Sequence, residues 1–179
     1  TYHCDLEMPP VWYGKVVDRI TYWDNVLAGK LADTFVAYTQ DFANHSPILS
    51  RFREKVRVIL PPVVIPDPVP AEVCALKERV GIGPATKVIG FAARFAYEKG
   101  AGYLINAIPM ILREFPDLKV LFAGPYGKDV IGESIWDELQ PLIKEYSPYL
   151  TFLGTLNASE MANFYQACDV ITVASINNT

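Results

Sequence analysis

One stretch concentrates residue types suited to an anionic ligand: Arg94-Phe95-Ala96-Tyr97-Glu98-Lys99-Gly100. A guanidinium carries its N–H donors in a fork that matches phosphate oxygens, and a lysine ammonium is a compact point charge. Spaced five residues apart, Arg94 and Lys99 make a clamp suited to a diphosphate. The stretch follows a short apolar run, Lys87–Arg94, and precedes a helical pattern over Lys99–Phe115, so it reads as a strand-to-helix turn. A helix N-terminus offers unpaired N–H groups and partial positive charge, which favours anions. Lys99 in that first turn opposes the dipole, a local conflict of the kind that functional sites carry. On a purely structural reading the same residues are two solvated cations, with Glu98 available as a partner.

Other reactive side chains are sparser. His3, Cys4 and Asp5 offer metal-capable atoms, but no second cluster has ligand spacing, and no metal is expected. Cys168 ends a short helical pattern in apolar surroundings and reads as a buried small hydrophobe. The run Arg51-Phe-Arg-Glu-Lys-Val-Arg57 reads as a solvated helix end and strand start, with peripheral membrane contact as a weaker reading.

The elements that must position Arg94 and Lys99 follow a regular alternation. Apolar runs at Lys87–Arg94, Leu118–Gly124, Leu150–Gly154 and Val170–Ser175 are continuous rather than alternating, as in strands buried on both faces. Helical patterns lie between them at 99–115, 134–146 and 159–168. The first sets Tyr103, Leu104, Ala107, Ile108, Ile111 and Leu112 on one stripe, with Pro109 expected to kink it. The last is capped by Ser159 or Asn157. Strand–helix–strand repetition gives a parallel, Rossmann-like doubly wound α/β sheet with right-handed crossovers. If the strand order is 3-2-1-4, the switch point lies between the first and fourth strands, and Arg94, Lys99 and Ser175 face one crevice. The first third has a similar rhythm: a helix at 16–32, a strand at 34–38, a helix at 41–52 and a strand at 56–60. Thr1–Asp5 reads as the exit of another strand.

Five prolines within Pro61–Pro70 exclude a helix or central strand there and predict an extended connector. The expected organisation is the end of one domain at 1–60, a linker at 61–70 and the first part of a second domain at 71–179. Seven basic against eight acidic side chains precede residue 71, and nine against twelve follow it, so the halves do not differ electrostatically.

Composition limits the function classes. The 179 residues are 51% hydrophobic and 20% charged with net charge −4, which excludes disorder. A pI near 5.2 argues against broad nucleic-acid binding. Three widely spaced cysteines read as free thiols in a reducing, cytoplasmic setting. No apolar stretch reaches a membrane-spanning length, and the first residues lack a secretory signal pattern. There is no initiating Met, and both ends read as cut. A dinucleotide fingerprint would need G-x-G-x-x-G after the first strand, where Gly90-Phe-Ala-Ala-Arg94 stands, and no P-loop occurs.

The order of motifs resembles the retaining glycosyltransferases of the GT-B fold with the GT4-type signature. Arg94-Phe-Ala-Tyr-Glu-Lys99-Gly100 resembles their R-x4-K-G element. Leu121-Phe-Ala-Gly124, Phe152-Leu-Gly-Thr-Leu156, and Tyr165-Gln-Ala-Cys-Asp169 with Ala174-Ser175 follow in the family's order. Thr1-Tyr-His3-Cys-Asp5 resembles the histidine-bearing strand end of the amino-terminal domain, and Val58–Val64 the exit from it. The resemblance implies a two-domain enzyme that moves a sugar from a nucleotide diphosphate sugar to a hydroxyl acceptor, lipid, glycan or small molecule, without a metal. It implies that Arg94 and Lys99 hold the diphosphate, that Gly124 admits the donor and that Leu156 lies against the base. Ser175 would then sit near the sugar-phosphate, and His3 would face the reaction centre across a cleft closed at the linker. The family's E-x7-E element would begin just after Thr179 and its amino-terminal glycine-rich loop is absent, so this piece is not expected to turn over alone. Pro62-Val63 stands where the family often has Asn-Gly. A non-catalytic nucleotide- or sugar-binding module and a related nucleotide-sugar epimerase are the alternatives.

Overall fold

Proline, glycine and the buried apolar runs set the element boundaries in the computed structural model, which describes residues 2, 12–64, 66–130 and 134–175, with Trp12 by its backbone only. The chain divides into two compact units, one ending at Val63 and the other starting at Val64.

The first unit contains α1 (Trp12–Leu31), β1 (Phe35–Ala37), α2 (Gln40–His45), a 3-10 stretch (Leu49–Lys55) and β2 (Val56–Val58). β1 and β2 pair in parallel, Phe35 opposite Val56 and Ala37 opposite Val58. On the other side of β1, the Tyr2 N–H donates to the Val36 carbonyl at 2.9 Å. Ala37, Ala43 and Leu49 form the core, with Phe35, Phe42, Val56 and Tyr2 packed on it. The helix expected over 41–52 is two pieces. Pro47 disfavours helical backbone at the preceding residue, and Ser46 is extended at φ −62°, ψ 126°. Lys55 closes α1 from across the unit: its Nζ donates to the carbonyls of Gly29, Lys30 and Ala32 at 3.1, 3.2 and 2.8 Å. A cation there meets the negative end of the helix dipole.

The second unit contains α3 (Pro70–Arg79), β3 (Lys87–Ala92), α4 (Ala101–Glu114), β4 (Leu118–Ala123), α5 (Trp136–Glu145), β5 (Leu150–Gly154), α6 (Ala158–Ala167) and β6 (Val170–Thr172). Its strands are all parallel in the order β5-β4-β3-β6, which is the expected 3-2-1-4. Both faces of the sheet are covered. Phe91, Val120 and Phe122 pack under α4 and α5 with Leu104, Ile108 and Leu139. Val88, Leu121 and Ala123 pack against α3 and α6 with Val73, Leu76 and Phe164. Two buried faces explain why β3 and β4 read as unbroken apolar runs; β6 departs from that expectation, since it is the last strand in the order and Val170 and Ile171 are exposed. α4 continues through Pro109 to Glu114. Asn157 is the cap of α6, in a reciprocal capping box with Glu160 at 2.8 and 3.0 Å.

α3 was not foreseen. Its signals were present: Pro70 at the first helical position, Glu72 in the first turn, and Lys77 and Arg79 in the last. Gly81, at φ +72°, follows the end. They were hidden because Pro70 belongs equally to the proline run before it.

Candidate active site

The carboxyl edge of the four-stranded sheet gathers the described candidate residues. β3 lies between β4 and β6, so the winding direction reverses at the β3–β6 boundary. In open parallel sheets ligands bind outside the carboxyl ends of strands at such a point.

After β3 the chain enters a braced loop. The Ala93 N–H donates to the Ala123 carbonyl at 3.0 Å and the Phe95 N–H to Pro125 at 2.9 Å. Ala96 makes an isolated antiparallel bridge with Ser134. The Phe95 ring is buried among Phe122, Trp136 and Phe152, with centroids 5.5, 5.5 and 5.6 Å away. Arg94 thus projects between two anchored residues. Its guanidinium Nη2 donates to Glu98 Oε1 at 2.8 Å, and both side chains are partly exposed. The pairing raised by the structural reading of the sequence is therefore present. It orients Arg94 without removing it from solvent, and an exposed pair of this kind is worth about 1 kcal/mol or less, so an anionic ligand can replace it.

Lys99 is placed differently from the sequence expectation. Tyr97–Lys99 is a single 3-10 turn, Gly100 follows at φ +73°, and α4 starts only at Ala101. Lys99 therefore does not sit in the first turn of α4, and the predicted clash with that helix dipole does not arise. The left-handed Gly100 separates the two. Lys99 is half-buried, and among the described residues it has no ion-pair partner. No side chain caps α4.

Gly100 also explains how the crevice closes. A Cβ there would overlap the Ala174 carbonyl, so the segment leaving β6 runs directly against the Lys99–Gly100 backbone. This contact brings Ala174 and the exposed Ser175 beside the turn that carries Lys99. Gly124, at φ +131°, has a comparable role on the other side of β3. A Cβ would collide with the Ala93 carbonyl and crowd the Arg94 N–H, while the Gly124 N–H donates to the Gly154 carbonyl at 2.7 Å. Its lack of a side chain is thus required by the protein's own backbone.

Leu156 lies farther along the edge, past β5. It packs on the core beneath α3 and α6 and lines a groove of about 280 Å³ with Leu153, Leu76, Arg79 and Glu160. It does not join the Arg94–Lys99–Ser175 group, which lies at the β3–β6 boundary. A shift in the β4–β5 pairing, Phe122 opposite Phe152 but Ala123 opposite Gly154, leaves Leu153 as an extra residue. Gly154, at φ +74°, faces open space where a Cβ would be. His3 lies outside the described residues, as do Cys4 and Asp5.

Sequence reasoning overlooked the residues that hold the turn, above all Phe95 and Trp136. Their aromatic character was visible, but the cluster joins a loop, two strands and the start of α5. Among the described residues no group of three or more His, Cys, Asp or Glu side chains could hold a metal ion.

A doubly wound parallel sheet with two cations at its switch point defines a Rossmann-like unit of the kind found in GT-B glycosyltransferases. The chain belongs to the glycosyl transferases group 1 family, whose profile matches residues 86–179. It is 30% identical over 100 residues to an uncharacterized glycosyltransferase of Methanocaldococcus jannaschii, a match covering 56% of this chain and 24% of that protein. It is 29% identical over 156 residues to the D-inositol 3-phosphate glycosyltransferase of Stackebrandtia nassauensis, covering 83% of this chain and 34% of the relative. Among solved structures, Anabaena HepE in complex with UDP superposes with a TM-score of 0.71 at 21% identity, covering 98% of this chain and 46% of HepE. The chain therefore spans about a quarter to a third of these two relatives' length.

Proposed function

We propose that the protein to which this chain belongs transfers a sugar from a nucleotide diphosphate sugar to a hydroxyl acceptor, with retention at the anomeric carbon, as a GT4-type enzyme. The observation that supports this reading best is the seating of Ala174 against Gly100, by which the segment bearing Ser175 runs beside the turn that carries Lys99 and follows Arg94, at the β3–β6 switch point. Membership of the glycosyl transferases group 1 family supports it. So does the UDP bound to HepE, a protein of the same fold.

In this mechanism the bond between the anomeric carbon and the diphosphate breaks, and negative charge grows on the departing phosphate oxygen. Arg94 and Lys99 stabilise that charge from a turn whose backbone is already fixed, so little reorganisation accompanies the reaction. No resident metal is required for this. Ser175 sits near the sugar-phosphate, the donor borders the backbone at Gly124, Gly154 leaves open space at its strand end, and Leu156 forms the wall nearest the base. For His3 the role proposed rests on the family resemblance alone: action on the acceptor side of the reaction.

Calorimetry of the chain against UDP, GDP and ADP tests the site. Arg94→Ala and Lys99→Ala should each weaken the preferred diphosphate by about tenfold to a hundredfold, the worth of one charge-assisted hydrogen bond. Unchanged affinity in both variants would sink the assignment. For the intact enzyme, proton NMR of the freshly formed product reads the anomer directly, and an inverted product would refute retention.

A further inference from the structure

Glu98 sets a carboxylate into a turn whose other charges suit an anionic ligand. Between Arg94 and Gly100 the chain carries two cations, Arg94 and Lys99, and one anion, Glu98. Glu98 Oε1 accepts from Arg94 Nη2 at 2.8 Å. Residues four apart meet routinely on an α-helix, but the chain between these two is not helical. Ala96 is extended, at φ −116° and ψ 156°, and only Tyr97–Lys99 forms a 3-10 turn. The pairing is therefore built by the fold of the turn and not by helical spacing.

Both ends of the pair stand on backbone that other contacts hold. On the Arg94 side, Phe95 and Ala96 are buried. On the Glu98 side, the Lys99 N–H donates to the Ala96 carbonyl at 3.1 Å and the Gly100 N–H to the Tyr97 carbonyl at 3.0 Å. Gly100 is in turn pressed against Ala174. Opening the Arg94–Glu98 contact thus leaves the turn in place, and what changes is the charge offered to a ligand. Lys99 is the next residue after Glu98, so the carboxylate stays beside any diphosphate that Arg94 and Lys99 take up.

We propose that Glu98 is a built-in competitor for Arg94: it occupies the guanidinium in the empty site and lowers the affinity of the crevice for a nucleoside diphosphate. This role rests on the reading of Arg94 and Lys99 as the diphosphate clamp. On binding, phosphate takes Arg94 over from Glu98, and the released carboxylate stands against a like charge. As the nucleoside diphosphate departs, Glu98 takes the guanidinium back, which favours release of that product. A positioning role has the opposite sign, because Glu98 would then aim Arg94 at the phosphate and its loss would weaken binding.

Calorimetry of the full chain against UDP, GDP and ADP, repeated with Glu98→Gln and Glu98→Ala, separates the two. Gln keeps a side-chain oxygen that accepts from Arg94 but loses the charge, whereas Ala loses both. Both variants should bind the preferred diphosphate more tightly, by about fivefold, the upper worth of an exposed ion pair. Without the carboxylate the two cations are uncompensated. Raising salt from about 0.05 M to about 0.5 M should therefore weaken binding more in Glu98→Gln than in the parent, a response that a merely structural contact does not alter. Failure of either variant to bind more tightly, or a salt response equal to the parent's, would overturn the proposal. Parent-like binding in Glu98→Gln with weaker binding in Glu98→Ala would assign Glu98 to positioning instead. In those cases a weakened Arg94→Ala leaves the diphosphate clamp standing, whereas a parent chain that binds none of the three diphosphates removes the clamp and the competitor together.

Discussion

Gly124 and Gly100 show how single residues shape the edge at which the candidate site lies. Each occupies a left-handed or otherwise glycine-favouring conformation, and each leaves room for another strand's backbone. A side chain at Gly124 meets both penalties at once. Gly124→Ala should cost about 2 kcal/mol or more, read as a lower urea midpoint, and should loosen the Arg94 turn. An unchanged midpoint would refute the close approach to Ala93. Cys168 gives a second test at this scale. Burial chiefly, and then the charge of Asp169, push its thiol up to about 12, with Lys77 acting in the opposite direction. The folded chain therefore keeps a neutral thiol where the unfolded chain, with the ordinary thiol value of 9.0, has begun to ionise. The stabilisation is complete below about pH 9 and is lost as pH rises toward 12. Urea midpoints measured at about pH 8 and pH 10.5 should fall less in Cys168→Ala than in the parent, since lysines and tyrosines titrate equally in both.

At the scale of elements, α6 holds the chain where it enters the second unit. Asn163 is almost fully buried; its Oδ1 accepts from the Val69 N–H at 2.8 Å and its Nδ2 donates to Glu72 Oε2 at 2.6 Å. One side chain thus fixes the residue before α3 and the first turn of that helix. Asn163→Leu, similar in size, leaves the Val69 N–H and the Glu72 carboxylate without this partner and should cost about 2 kcal/mol in chemical denaturation. A loss below a few tenths would show that the contact is replaceable. β6 is tied to β3 in a similar way at the opposite edge from the site: the Val88 N–H donates to Asp169 Oδ2 and the Asp169 N–H to the Val88 carbonyl, at 2.8 and 2.9 Å. The aspartate noticed in the sequence beside Cys168 therefore supports the sheet.

For the whole molecule, the two units meet in sequence at Val63–Val64, where both residues are highly exposed. Neighbouring prolines protect many bonds in this stretch, but the Val63–Val64 bond has no proline on either side. Limited elastase digestion should cut there first and release a carboxy-terminal piece starting at Val64. Initial cleavage inside the second unit would contradict the division. Family membership rests on residues 86–179 and so belongs to that second unit.

The sequence by itself determined the four parallel strands, the helices between them and the turn carrying Arg94 and Lys99. These features depend on local periodicity and on chain segments too apolar to face water on either side. It did not separate α3 from the proline run, because Pro70 suits both an extended connector and a helix's first residue. Nor did it place Lys99 correctly, since whether a glycine continues a helix or turns left-handed depends on what presses against it. For Gly100 that neighbour is Ala174, over seventy residues away. Only the tertiary structure decided which strand ends touch, why Gly124 lacks a side chain and which aromatic rings hold the Arg94 turn. Each depends on contacts between segments distant in sequence, and such contacts are set by how strands and helices pack rather than by the pattern within any one of them.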